Sequence, residues 1–566
     1  MTAFRMTNAG VPEDFFEVMT NILRKQAEER GCTLSDEGVN ISIKLDAGMN
    51  GDDYTISDAG EIVSASRCGL LAGLGRYLQD GSFDGCGSFS PSEKNVSFHP
   101  QKAIRGMYFA THFYNFYHVA PINEVYDVID TLALRGCNAL AVWYDMHHYT
   151  GIDSTESREM IERIKLIFRY AQKIGMKLCM TMLANEAFSG TPNDIKADWH
   201  AINGYKSCPV GHFHEEICPS NPKGMNEIMR QRRLMLEAFA DTPLDYLFFW
   251  PYDQGGCTCS KCAPWGANGF LKIAPEFQKL ANEIMPSARL ICSTWGFDSF
   301  VDGEFDAFRK RMETGEFDFF AYYMDYYARL KQLPDYLLRG ENLRGKRTLA
   351  FQEISMRGSV PWGGFGTNAL PQYMEEKEKR DAGYYDGGFP YSEGIFDDIN
   401  KALILGLQGG RYANARDVLM DYARYEFCAP DPDAFADLVF DMETTLYRTR
   451  YNQNGEEVNY LRSEPKPDDT YYFSILNPEK IDSIYQKALS LDRSIPERMR
   501  SCWKWRIVYL RAVIDHELIH NDGKNTPLDE ECFAELTKIY HAEEADYCVA
   551  PPSEESMRLN RGGFLL

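Results

Sequence analysis

Residues 138–188 decide the fold: NALAVWYDM (138–146), REMIERIKLIFRYAQKIG (158–175) and KLCMTMLANEAF (177–188). A short apolar run, a segment of helical periodicity stopping at Gly175 and a second short apolar run read as strand, helix and strand. The pattern continues in both directions. Upstream lie the strand IRGMYFATHF (104–113) and the helix VYDVIDTLALRG (125–136). Downstream come the helix MNEIMRQRRLMLEAFA (225–240), the strand LDYLFFWPYD (244–253) and the helix APEFQKLANEIM (274–285). ARLICSTWGF (288–297), FDFFAYYMDYY (317–327), RTLAFQEIS (347–355) and GGFPYSEG (387–394) add four more strands. Eight βα-like units in succession predict an α/β fold, a (β/α)8 TIM barrel. A doubly wound open sheet is the alternative. No GxGxxG follows the first strand, which disfavours its dinucleotide-binding form.

Two flanking regions complete the chain. Residues 1–100 read as a small α/β domain, with a helix over 15–31, a strand over 39–45, two short strands within 53–66 and a helix over 68–80. The Gly/Ser-rich stretch 81–95 punctuates the passage into the barrel, assigned to 101–410. Residues 411–566 read as a helical C-terminal domain, with helical patterns over 415–427, 478–491 and 497–519. A length of 566 residues suits several domains of this kind.

Charge and composition narrow the function. There are 83 acidic and 60 basic residues, a formal net charge of −23, which disfavours nucleic acid and anionic membranes as partners. No stretch is long and apolar enough to predict a membrane span, and no leader pattern opens the chain, so a cytoplasmic location is expected. The 15 cysteines lack a disulfide-framework spacing and predict free thiols. Aromatic residues reach 13 %, which suits sugar-stacking surfaces as well as a large core. The oligomeric state is not readable.

A barrel of this type carries its chemistry at the C-terminal ends of its strands. The residues there include His112 and Asn115 after the first strand, Trp143, Tyr144 and Asp145 after the second, and Asn185 and Glu186 after the third. Trp250, Asp253 and Gln254 follow the fourth, Trp295 the fifth, and Tyr322 and Asp325 the sixth. Glu353 and Trp362 follow the seventh, and Tyr391 and Glu393 the eighth. Carboxylates ringed by Trp and Tyr suit glycoside hydrolysis, in which one carboxylic acid protonates the leaving oxygen and a second carboxylate serves as nucleophile or base. The expected catalytic residues are Asp253 and Glu353, followed by Glu393 and Asp325. Phe351, Glu353 and Ser355 share one face of their strand, whereas only one of Tyr252 and Asp253 should face the barrel axis. His112, Asn115, Trp143, Tyr144, Trp250, Gln254, Trp295, Tyr322 and Trp362 are the expected substrate contacts. Asp397 and Asp398 read as first-turn helix acids with a structural role. The competing readings are a carbohydrate-binding barrel without turnover and a non-hydrolytic barrel enzyme.

IRGMYFATHFYNFY (104–117), entered from a small α/β domain, resembles glycoside hydrolases related to family 20 β-hexosaminidases and family 67 α-glucuronidases. The stretch YDQGGCTCSKC (252–262) is similar to the acidic, Cys-rich strand-4 loop of family 163 endo-N-acetylglucosaminidases. The family 20 resemblance implies an Asp–Glu pair after strand 4, with the Asp orienting a 2-acetamido nucleophile and the Glu acting as acid. Here the pair is Asp253–Gln254, so the proton would have to come from Glu353 or Glu393. The family 67 resemblance implies a base side at strands 6 and 7, matched in kind by Asp325 and Glu353. Its strand-4 Glu is missing, with Asp253 nearest. The function expected is hydrolysis of a glycan bearing N-acetylhexosamine, with an α-glucuronidase-like activity as the alternative and no cofactor needed for catalysis.

Cys257, Cys259 and Cys262 form a CxCxxC, and the loop after strand 3 adds Cys208, His212, His214 and Cys218. Four Cys or His ligands suit zinc. A structural zinc on Cys208, Cys257, Cys259 and Cys262 is the alternative to packed free thiols.

Overall fold

The computed structural model describes residues 1–111, 115–198, 215–252, 256–298, 300–326, 346–355, 366–446, 448–451, 472–475, 477–521 and 526–541. Its first region is a six-stranded mixed sheet. The strands are β1 (Ala3–Asn8), β2 (Thr33–Leu34), β3 (Val39–Leu45), β4 (Tyr54–Ile56), β5 (Glu61–Ser64) and, after a small β6–β7 hairpin (Ser82–Phe83 and Phe89–Ser90), β8 (Val96–Phe98). Helix Glu13–Glu29 buries Phe15, Met19, Ile22 and Leu23, the one-turn spacing that the sequence shows. Helix Arg67–Asp80 is capped by Ser66, whose side chain accepts from the Gly69 N–H.

Eight parallel strands then close into a ring. They are β9 (Ile104–Phe109), β10 (Ala139–Trp143), β11 (Lys177–Leu183), β12 (Tyr246–Trp250), β13 (Arg289–Ser293), β14 (Phe320–Tyr326), β15 (Arg347–Phe351) and a split eighth strand, β16 (Gly387–Gly388) with β17 (Tyr391–Ser392). Helices such as Thr155–Lys173, Pro222–Ala238 and Gly269–Ile284 cover the outside. This is the TIM barrel that the alternation predicts, and the strands end one to five residues earlier than the apolar runs suggest.

Closure occurs at the eighth strand, where β16 pairs with β15 on one side and β9 on the other. A Cβ on Gly387 would stand 1.7 Å from the Ile104 carbonyl oxygen, and one on Gly388 would stand 1.9 Å from that of Ala350. Gly387 also has φ +107°, outside the range that side chains favour. Strands 7, 8 and 1 therefore meet only because this position carries two glycines.

The barrel interior is a packed aromatic column, not a pore. Tyr108, Trp143, Phe248, Trp250, Ile291, Met324, Phe351 and Tyr391 fill it. Phe351 meets Tyr108, Trp250 and Tyr391 at ring-centroid distances of 5.3–5.7 Å.

The C-terminal region contains helices Ala415–Glu426, Pro432–Leu446, Ile481–Ser494, Trp503–His520 and Pro527–Tyr540. One buried acid joins all three regions. Glu426 pairs with Arg135 of the barrel at 2.5 Å, with Lys504 of the C-terminal helices at 2.6 Å and with Arg30 of the first region at 4.0 Å. Burial alone would raise its pKa, but Lys504, Arg135 and Arg30 pull it down to about 2. Among the described residues, no helix is long and apolar enough to cross a membrane.

Candidate active site

The strand-7 and strand-8 ends hold a connected pair of acids. Glu353 follows β15 and bridges in parallel to Tyr391. It stands two residues beyond the inward-facing Phe351 and so continues the inward face. Its side chain is buried, and Oε1 accepts from the Ser355 N–H at 2.8 Å. Glu393 stands two residues beyond Tyr391, and its Oε1 accepts from the Tyr391 hydroxyl at 3.0 Å. That hydroxyl is pushed well above its usual range by burial, reinforced by the Glu393 and Glu353 carboxylates.

The backbone under these acids is fixed. The Glu393 N–H donates to Ser355 Oγ at 2.8 Å, and Ser355 donates to Asp397. Asp397 also accepts from Ser392 at 3.1 Å and pairs with the buried Lys401 at 2.7 Å. Burial would discharge Lys401, but the Asp397 carboxylate holds it charged. Asp398 accepts from Tyr422 at 2.8 Å. Asp397 thus holds the backbone around Glu393, and Asp398 ties helix Asp398–Gln408 to helix Ala415–Glu426. The C-terminal region reaches this rim as well, since Tyr540 donates to the Glu393 carbonyl at 2.8 Å.

Across the mouth, strands 2 and 3 supply a second cluster. Trp143 faces the barrel interior and donates its indole N–H to Glu186 Oε2 at 3.1 Å. His147 Nδ1 lies 2.6 Å from Glu186 Oε1, and all three side chains are buried. The neighbouring Glu216, bridged through the backbone to Glu186, is pushed well up by burial and then by Glu186 and Glu215. Glu186 stands among the strand-end residues but was not among the expected catalytic or contact residues. Its position at the end of an apolar run, with a Trp and two His on the neighbouring strand end, is the signal for it.

Several expected substrate contacts lie elsewhere. Tyr144 points out of the barrel: its hydroxyl bonds Ser157 of helix Thr155–Lys173 at 2.6 Å, within the outer core. Strand alternation sends it opposite to Trp143. Asn115 is fully buried and caps the turn after strand 1, donating to the Ala110 carbonyl at 2.7 Å and accepting from the Tyr117 N–H at 3.2 Å. Tyr322 faces inward but at the opposite end of the barrel, where it meets Tyr246, the first residue of β12, at 5.9 Å. Trp250 does face the interior near the mouth, with Trp295 set edge-on at 6.5 Å. The buried Trp250 indole N–H has no hydrogen-bond partner among the described residues. His112, Asp253, Gln254, Trp362 and Cys208 lie outside the described residues, as does the side chain of Asp325. Tyr252 points outward and donates to Glu304 at 2.7 Å.

Three of the expected cysteines cluster with a fourth, Cys218. Cys218, Cys257, Cys259 and Cys262 place their sulfurs within 4.8 Å of one another. Cys218, after strand 3, is the fourth member among the described residues, and Cys208 lies outside them.

No protein-family model matches the chain, and no curated protein matches it. Solved structures do. The chain aligns with a family 138 glycoside hydrolase targeting pectin rhamnogalacturonan II at TM-score 0.56 and 10 % identity, over 96 % of this chain and 75 % of that one. It aligns with a family 89 glycoside hydrolase from Clostridium perfringens, in complex with 2-acetamido-1,2-dideoxynojirimycin, at TM-score 0.58 and 14 % identity. That match covers 93 % of this chain and 65 % of the other, so the chain spans just under two thirds of the family 89 structure. A family 20 β-N-acetylhexosaminidase from Streptomyces coelicolor A3(2) aligns at TM-score 0.51 and 12 % identity, over 77 % of this chain and 92 % of that one. At these identities the likeness is one of fold.

Proposed function

We propose that the protein is a glycosidase that hydrolyses a glycosidic bond at an N-acetylhexosamine residue. Glu353 and Asp253 are its foremost reacting carboxylates, with Glu393 and Asp325 behind them. The observation that carries this reading is the position of Glu353, on the inward face at the strand-7 rim beside Glu393 and above an aromatic column. Hydrolysis of an acetal needs a proton delivered to the leaving oxygen and a carboxylate facing the anomeric carbon. Glu353 and Glu393, rigidly mounted on adjacent strands, can supply one of these roles, and Asp253 after strand 4 the other. With Gln254 in place of an acid, the proton donor falls to Glu353 or Glu393.

Trp295, half-buried at the mouth, offers a face for the C–H side of a pyranose, with the buried Trp250 edge-on beside it. The indole N–H of Trp250 would donate to a sugar oxygen. The choice of N-acetylhexosamine rests on the shared fold with a family 89 enzyme in complex with its substrate GlcNAc-α-1,4-galactose and with a family 20 β-N-acetylhexosaminidase. No cofactor enters this chemistry.

The test is turnover of aryl glycosides of N-acetylglucosamine, N-acetylgalactosamine and glucuronic acid. N-acetylhexosaminides should be cleaved, and Glu353→Gln should lower kcat by about 10²–10⁴-fold in a folded protein. Cleavage of the glucuronide alone would favour the α-glucuronidase-like activity. Sugar binding with no turnover of any substrate would make the barrel a carbohydrate-binding one.

A further inference from the structure

We propose that Cys218, Cys257, Cys259 and Cys262 bind one Zn2+ as a tetrahedral tetrathiolate, joining the loops after strands 3 and 4. The inference is independent of the catalytic reading.

The spacing of the sulfurs carries it first. A zinc ion with bonds of about 2.3 Å separates tetrahedral sulfur ligands by about 3.8 Å. Cys218 Sγ lies 3.9 Å from Cys259 Sγ and 3.9 Å from Cys262 Sγ, and all four sulfurs fall within 4.8 Å of one another. A disulfide needs about 2.05 Å, so these thiols converge on a common point without bonding to each other.

The surroundings are built to hold sulfur in place. Ser220 Oγ lies 2.9 Å from Cys262 Sγ, and the Asp198 N–H donates to Cys257 Sγ at 3.5 Å. Lys272 donates to Ser220 Oγ at 2.7 Å, which brings a positive charge to a site that would carry net negative charge when loaded. Such outer contacts orient ligands and tune a metal.

The third support is Asn185, fully buried at the end of strand 3. Its amide donates to the Ile217 carbonyl at 3.1 Å and to the Gly256 carbonyl at 2.9 Å, and its Oδ1 accepts from the Gly256 N–H at 3.3 Å. Ile217 and Gly256 immediately precede Cys218 and Cys257. One side chain therefore sets the relative register of the two ligand-bearing segments. Gly256, at φ +117°, lets the chain turn just before the first cysteine of the CxCxxC.

Loading converts four thiols to thiolates, forms four Zn–S bonds and releases four protons to solvent. Tetrahedral S4 sites also suit iron, and the experiment separates the two metals. The full-length protein, purified without chelator, is assayed by elemental analysis, and released zinc is followed with a chromogenic chelator during titration with a mercurial. About one zinc per chain, released as thiols are modified, is the expected result. Cys218→Ser and Cys259→Ser should each lower the zinc content at least tenfold, whereas Cys86→Ser, at an exposed cysteine outside the cluster, should not. The wild-type measurements need no variant, so a misfolded mutant leaves the test intact. Less than about 0.1 zinc per chain after incubation with ZnCl2, or iron as the bound metal, would overturn the proposal.

Discussion

Trp143 rests its indole N–H on Glu186, 3.1 Å away, so the aromatic wall of strand 2 is oriented by an acid from strand 3. Glu186→Ala removes the acceptor of that buried donor and the partner of His147. The expected loss is about 1–3 kcal/mol of stability. Under the proposed activity, in which Trp143 would line the sugar site and Glu186 would position it, KM should rise more than kcat falls. Denaturant titration and steady-state kinetics check both; an unchanged KM would separate Trp143 from the binding surface.

Tyr540 ties the last described helix to the Glu393 carbonyl. Tyr540→Phe keeps the ring packed on Phe116 and Phe396 and deletes only the hydroxyl. Stability should drop by about 0.5–1.5 kcal/mol, and kcat/KM should fall with it. Stability loss with wild-type kinetics would show that Glu393 does not depend on this tether.

Glu304 gives a pH signature. It is fully buried, accepts from Tyr252 at 2.7 Å and from the Gly266 N–H at 2.6 Å, and burial pushes its pKa up to about 7. A carboxyl whose folded pKa lies above its unfolded value near 4.5 binds its proton more tightly in the folded state. Its contribution to stability is present in full below about 4.5 and is lost as pH rises through about 7. The loss amounts to about 3 kcal/mol. Glu304→Gln should flatten the stability curve between pH 5 and 8, as measured by thermal unfolding across that range. An unaltered slope would assign the pH dependence to other groups, the buried Asp130 first, whose pKa burial also raises to about 7.

Glu426 is the converse case, an acid held down to about 2 by three cations. Its contribution is present above about 4.5 and is lost as pH falls toward 2. Glu426→Ala leaves Arg135 and Lys504 buried beside a missing partner and should cost about 3–5 kcal/mol. Chemical denaturation at pH 7 measures it, and a loss below 1 kcal/mol would mean that solvent compensates these cations.

Much of the barrel is legible because its strands are short apolar runs between amphipathic helices, and each run marks its element to within a few residues. What periodicity does not give is which residue of a strand end faces inward, or how far up the barrel it sits. Tyr144 and Trp143 are neighbours, yet one packs under a helix and the other lines the interior. Tyr322 reads as a strand-end residue because its strand is long, but its register with Arg347 and Ile291 places it low. Glu353 was readable because Phe351, two residues earlier, marks the buried face. The fourth cysteine was not, because Cys218 and Cys257 are brought together by Asn185, a contact that no local spacing encodes.

The double glycine of strand 8 also bears on the acid that follows it. Gly387 and Gly388 sit where adding one carbon would drive it into a neighbouring carbonyl. The word GGFPYSE (387–393) joins this steric demand to Glu393 within seven letters. A side chain at either glycine would open the ring at the seam that mounts Glu393.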